Sequence, residues 1–128
     1  MSKKLVLSGA IFICIAIILG AMAAHGLKKI LSVELIERFQ KGVTYQFYAG
    51  FALLILGLAS DKFTFSLNWF FRLTLIGVLL FSGCIYLYCF HGQIPALKPF
   101  VMIVPFGGAS MIIAWIIFIV QLIKQPKS

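Results

Sequence analysis

The chain has 128 residues, of which 62% are hydrophobic, with a mean hydropathy of +1.11 and a formal net charge of +8. A water-soluble globule of that size needs more polar surface than this composition can supply, which excludes the soluble function classes. The eleven basic residues are dispersed at the ends of apolar tracts, where anionic lipid head groups account for them, so nucleic acid is not an expected partner.

Lys4, Lys28, Lys41, Asp61, Arg72, Lys98 and Lys124 bound four neutral tracts: Leu5 to Leu27, Gly42 to Ser60, Leu73 to Leu97 and Pro99 to Ile123. A helix needs about 20 mainly apolar residues to cross roughly 30 Å of hydrocarbon, and each tract supplies them. The expectation is an all-α integral membrane bundle of four transmembrane helices, spanning about 5–25, 43–60, 71–90 and 100–123. One amphipathic interfacial helix, about 32–42, lies between spans 1 and 2. With no Ser/Gly/Pro-rich linker and no internal repeat, residues 1–128 read as a single membrane domain.

The first span follows a basic start, Met1 to Lys4. Ala16, Gly20 and Ala24 recur on it at four-residue spacing, a small-residue stripe that lets another helix approach closely. The same start followed by Ala21 to Ala24 has the look of a secretory signal, but its apolar region is longer than the usual 7 to 15 residues. Between Ser32 and Lys41 the pattern turns amphipathic: Leu35, Ile36, Phe39 and Val43 face one way, Glu34, Glu37, Arg38 and Lys41 the other. Ser32 is the expected N-cap. Glu34 with Arg38 and Glu37 with Lys41 are spaced as ion pairs worth about 0.2–0.5 kcal/mol each. The segment is expected to feed into the second span, with a bend at Gly42.

Asp61 to Asn68 forms a turn, and Trp69, Phe70, Phe71 and Arg72 an aromatic and basic anchor at the interface. His91, Gly92, Gln93 and Pro95 break the third span. Pro105, Gly107 and Gly108 are expected to kink the fourth or keep its first turn irregular, with the two glycines as further packing positions. Four crossings put both termini on one side. Lys3, Lys4, Lys62, Arg72, Lys124 and Lys127 then face Lys28, Lys29, Arg38, Lys41 and Lys98 across the bilayer, and the basic start ahead of a strong first span places both termini in the cytoplasm.

Uncharged polar side chains concentrate toward the loop side: His25, Thr44, Tyr45, Gln46, Tyr48, Tyr86, Tyr88 and His91. Buried polar groups near lipid need partners, so these are expected to converge on one hydrogen-bonded cluster, either a tie between helices or a vestibule for a small polar molecule, ion or lipid head group. Cys14, Cys84 and Cys89 form no CxxC pair, and His25, Cys89 and His91 match no metal or haem spacing, so neither metal nor cofactor is expected. No serine elbow and no carboxylate inside the spans argues for an enzyme or a proton-coupled pump.

Four runs carry a resemblance. Leu19 to Lys28 (LGAMAAHGLK), Phe39 to Tyr48 (FQKGVTYQFY), Leu80 to Tyr86 (LFSGCIY) and Pro105 to Gly108 (PFGG), followed by Trp115, resemble a family of small four-helix membrane proteins. It is catalogued as domain of unknown function 423 and related to transmembrane protein 256. The resemblance implies a mostly bacterial integral membrane protein without an established activity. Ala49, Val104 and Ala114 stand where that family often carries His, Thr and Gly, which removes polar groups from the vestibule region.

The function expected from these readings is a non-enzymatic accessory or interaction subunit of the cell membrane. It would contact the bilayer and either a membrane-protein partner or further copies of itself. The alternative is a minimal oligomeric permease or channel for a small solute or ion.

Overall fold

Apolar tracts punctuated by polar turns produce helices throughout, and the computed structural model, which describes residues 1–126, contains no strand among them. Helix α1 is Lys3–Ala24, α2 is Val33–Leu58, α3 is Asn68–Val78, α4 is Cys84–Cys89 and α5 is Val104–Lys124. Lys127, counted above on the terminal side, lies outside the described residues. A π-helical turn, Leu79–Gly83, joins α3 to α4 in one rod, Asn68–Cys89.

Among the described residues, three segments are long and apolar enough to cross a membrane: Lys3–Lys29, Asn68–Cys89 and Pro95–Lys124. In the most apolar stretches of the first and third, 17% of the residues are buried within the protein. A helix this apolar and this exposed has lipid, not protein core, as its surroundings. The amphipathic segment and the second apolar tract are a single helix, α2, which runs unbroken through Gly42 for 26 residues, about 39 Å at helical rise. Its charged first turns and the run Thr44 to Tyr48 make it the least apolar of the long helices.

Ser32 caps α2 as expected, its Oγ accepting from the Leu35 N–H at 3.2 Å. The two ion pairs expected on α2 are not made. Among the described residues the one ion pair joins the Met1 ammonium to the exposed Asp61 carboxylate. Pro105 does not kink α5; it occupies the first turn, where a missing N–H costs no helical bond, and the irregular backbone lies ahead of it in the 3₁₀ stretch Pro95–Met102.

The helices associate as two antiparallel pairs, α1 with α2 and α3 with α5, joined where α2 packs on the π turn and α4. In the first pair, Ile36, Phe39, Val43, Gln46, Gly50, Leu53 and Gly57 are buried on α2, a continuous alternation of three- and four-residue steps. On α1 the buried small residues are Gly9, Ala16 and Ala23, at seven-residue spacing. This is the periodicity that keeps two helices in register along a left-handed seam. Of the stripe expected at Ala16, Gly20 and Ala24, Ala16 is buried, while Gly20 and Ala24 are half-buried, Gly20 lying next to Val43 of α2.

Both pairs close to backbone contact at glycines. A β-carbon on Gly9 would stand 2.5 Å from the Gly50 carbonyl oxygen and 2.7 Å from the Leu54 nitrogen. One on Gly107 would strike the backbone at Phe81 and lie 2.8 Å from the Gly77 carbonyl oxygen. Gly20 and Gly108 have room, with nearest neighbours at 3.6 and 3.7 Å. At the terminal end, Phe70 is fully buried rather than an interfacial anchor, within a cluster of edge-to-face rings including Trp115 at 4.9 Å. Trp69 remains outside, with the Arg72 guanidinium 5.4 Å from its ring centroid.

Overpacking a closed seam costs about 1–3 kcal/mol. Gly9→Ala and Gly107→Ala are therefore expected to lower the thermal unfolding midpoint of the detergent-solubilised protein, while Gly20→Ala and Gly108→Ala leave it unchanged or slightly raised; equal losses at all four positions would refute the seam.

Candidate functional site

The loop-side polar residues do not form one cluster; they fall into three groups. Gln46 is buried on the seam. Its Nε2 donates to the Phe12 carbonyl of α1 at 2.8 Å, and its Oε1 accepts from the Tyr86 hydroxyl of α4 at 2.7 Å. One carboxamide thus holds three helices. Tyr86 reaches it by lying over Gly42, where a β-carbon would be 2.8 Å from the ring. One turn earlier, the buried Ser82 Oγ donates to the Gly42 carbonyl at 2.6 Å.

The π turn makes these contacts possible. Phe70, Thr74, Val78, Ser82 and Tyr86 follow one another at four-residue steps, and an uninterrupted α-helix would rotate each by about 40° relative to the last. The wider turn at Leu79–Gly83 takes up that rotation, so Ser82 and Tyr86 still face α2.

The second group is the pair Tyr45 and Tyr48, on a neighbouring face of α2 and exposed. Their rings meet edge-to-face at 5.5 Å, and Tyr45 packs on Phe81 at 4.9 Å. They border a cavity of about 510 Å³ between α2, α3 and α5, whose walls include Ala49, Ala52, Ile112 and Trp115. Thr74 also lines it, and its buried hydroxyl oxygen has no hydrogen-bond partner; Gln121 Oε1 is the other such atom among the described residues.

The third group lies at the loop end. Tyr88 stacks on His91 at 4.5 Å with the rings 22° from parallel, and His91 Nδ1 donates to the Tyr88 carbonyl at 2.7 Å. The Arg38 guanidinium sits 5.5 Å from the Tyr88 ring centroid. Tyr88 borders a second cavity, of about 520 Å³, rimmed by Glu34, Glu37, Arg38 and Lys41 and floored by Phe81, Ile85, Val101, Val104 and Pro105.

Two expected members stay apart. Thr44 Oγ1 donates to the Gln40 carbonyl of its own helix at 2.9 Å. His25 is exposed beyond the end of α1. Cys89 is buried, with Sγ donating to the Leu35 carbonyl at 3.4 Å, and no three His, Cys, Asp or Glu residues gather into a metal-binding group among the described residues. Ser82, Ser110, which donates to the Leu73 carbonyl at 2.7 Å, and the glycines Gly9, Gly50 and Gly57 of the first seam were not singled out from the sequence. The seven-residue recurrence Gly9, Ala16, Ala23 is the signal that would have found the seam.

A family model described as "Protein of unknown function (DUF423)" matches residues 19–108. The chain belongs to this family. The matched residues contain the Leu19 to Lys28, Phe39 to Tyr48, Leu80 to Tyr86 and Pro105 to Gly108 runs, and hence Gln46, Ser82 and Tyr86. A UPF0382 membrane protein of Staphylococcus aureus (strain bovine RF122 / ET3-1) is 34% identical over 122 residues, covering 95% of this chain and 97% of the relative. One from Staphylococcus epidermidis (strain ATCC 12228) is equally similar over the same shares. One from Staphylococcus saprophyticus is 30% identical over 95% of this chain and 98% of its own length. All three are named as membrane proteins, which agrees with the lipid-facing helices. No solved structure matches the chain.

A hydrogen bond between helices in lipid contributes on average about 0.6 kcal/mol and at most about 1.7. Gln46→Leu and Tyr86→Phe are each expected to lower unfolding stability, and the double variant to lose less than the sum of the two, because they share one bond. Strict additivity in a double-mutant cycle would mean that the bond is not made.

Proposed function

We propose that this DUF423 protein crosses the cell membrane four times, α2 being the second crossing and its charged first turns lying at head-group level, with both termini in the cytoplasm. In this reading it acts as a non-enzymatic accessory or interaction subunit. The observation that carries it is how the polar interior is used: Gln46, Ser82, Tyr86, Cys89 and Ser110 are each hydrogen-bonded to another group of the same chain. Side chains occupied in this way hold helices together and leave no free nucleophile or base among them.

The 26-residue length of α2 and its antiparallel pairing with α1 support the second crossing, since a helix paired along its whole length with a spanning helix shares its depth. The basic start ahead of α1 supports the orientation. A permease has less support, because a solute path needs polar groups facing water, and Gln46 and Tyr86 line neither cavity.

Single cysteines placed at residues 28, 62 and 98 of a cysteine-free protein, probed with a membrane-impermeant maleimide, test the topology. Residues 28 and 98 are expected to label from outside and 62 only from the cytoplasm; labelling of 28 and 62 from the same side would remove α2 as a crossing. Mild-detergent purification should then recover a stoichiometric membrane-protein partner, and recovery of the chain alone would count against the subunit role.

A further inference from the structure

The two cavities share a wall at Phe81 and lie along one face of α2, so that face carries a groove in two parts. Glu34, Glu37, Lys41, Tyr45, Tyr48 and Ala52 succeed one another at three- and four-residue steps along that face, with Arg38 and Ala49 beside them. From Glu34 to Ala52 this face runs about 27 Å. It is charged at the loop end, phenolic in the middle and apolar at the deep end, where Ile112, Trp115 and Ile116 of α5 face Ala49 and Ala52.

We propose that this groove holds one phospholipid with a phosphate and a primary ammonium in its head group, of the phosphatidylethanolamine type. Its phosphate meets Arg38 and Lys41 and its ammonium meets Glu34 and Glu37. Its ester region lies beside Tyr45 and Tyr48, and an acyl chain runs along Ala49, Ala52 and Ile112.

Three observations converge on this occupant. Spacing along α2 allows Glu34 to pair with Arg38 and Glu37 with Lys41, yet among the described residues neither pair forms within salt-bridge distance, so two cations and two carboxylates all remain available at the mouth. Arg38 is instead held over the Tyr88 ring, which His91 backs by stacking. A guanidinium positioned in this way presents its N–H fork to a phosphate.

The Tyr45 and Tyr48 hydroxyls have no hydrogen bond to another described residue. A phenol below the head-group level without an acceptor is costly, and ester carbonyls supply one. Finally, the rim carries both signs. A head group with negative charge alone would meet two carboxylates, and a quaternary ammonium has no N–H to donate to them; a primary ammonium satisfies both conditions.

The inference rests on α2 crossing the membrane. The topology labelling above decides that point separately, so a groove that retains no lipid in a protein of correct topology refutes the groove alone. The test uses the full chain reconstituted in nanodiscs of equimolar phosphatidylethanolamine and phosphatidylglycerol, released for native mass spectrometry with lipid analysis.

One phosphatidylethanolamine per chain is expected to be retained, enriched over phosphatidylglycerol. Losing the phosphate contacts in Arg38→Ala/Lys41→Ala is expected to lower retention about tenfold. Glu34→Gln/Glu37→Gln is expected to keep a lipid but lose the head-group preference. Tyr45→Phe/Tyr48→Phe, which preserves ring packing and so guards against a folding defect, is expected to weaken retention. Lys28→Ala/Lys29→Ala, outside the groove, is expected to change nothing. Undiminished retention in Arg38→Ala/Lys41→Ala, preferential retention of phosphatidylglycerol, or an equal loss in the Lys28→Ala/Lys29→Ala control would each overturn the proposal.

Discussion

The carboxamide of Gln46 is the joint on which the arrangement turns. Lipid tails are as apolar as leucine, so helices inside them gain nothing from hiding oil and must be held by close packing and hydrogen bonds. Gln46 donates to a carbonyl on α1 and accepts from a tyrosine on α4, and so binds one helix pair to the other. Each neighbouring feature serves that contact. The Gly9 and Gly50 approach brings α1 close enough for its backbone to be reached, Gly42 leaves room for the Tyr86 ring, and the π turn keeps Tyr86 in phase.

Apart from Thr74 and Gln121, the use of polar residues divides by face. Those turned into the seams close on backbone carbonyls and on one another, in keeping with the high cost of an unpaired polar group where water is absent. Those turned sideways, Tyr45, Tyr48 and the charges at the start of α2, keep hydrogen-bonding capacity in hand. The first set explains why the helices stay together, and the second is where anything outside the chain could be recognised.

Much of this was legible in the sequence. Tract length between charges gave α1, the α3–α4 rod and α5 to within a few residues, because hydrophobic length is set by lipid and hardly depends on neighbours, whereas α2 begins at Val33, ahead of its tract, by absorbing the amphipathic segment. Ser32 was readable as a cap because capping is local. The phase of the small-residue stripe was not: Ala16, Gly20 and Ala24 and Gly9, Ala16 and Ala23 are both regular, and the choice between them depends on how α1 inclines to α2, a tertiary quantity. For the same reason the polar positions could be placed at one depth but not sorted by face. The Glu34–Arg38 and Glu37–Lys41 pairs failed because their spacing only permits contact, and Arg38 found an aromatic ring from another helix instead. The π turn leaves no compositional trace, since Leu79 to Gly83 would suit an ordinary helix equally well.

The division of the bundle into α1 with α2 and α3 with α5 has a consequence for biogenesis. Each unit is a hairpin of sequence neighbours with its own glycine crossing, and the contacts between units are fewer than those within them. A nascent chain organised in this way can settle its first hairpin before the second emerges, with docking through the carboxamide left as the final step. The architecture is that of a natural split protein, whose halves carry most of their folding instructions separately.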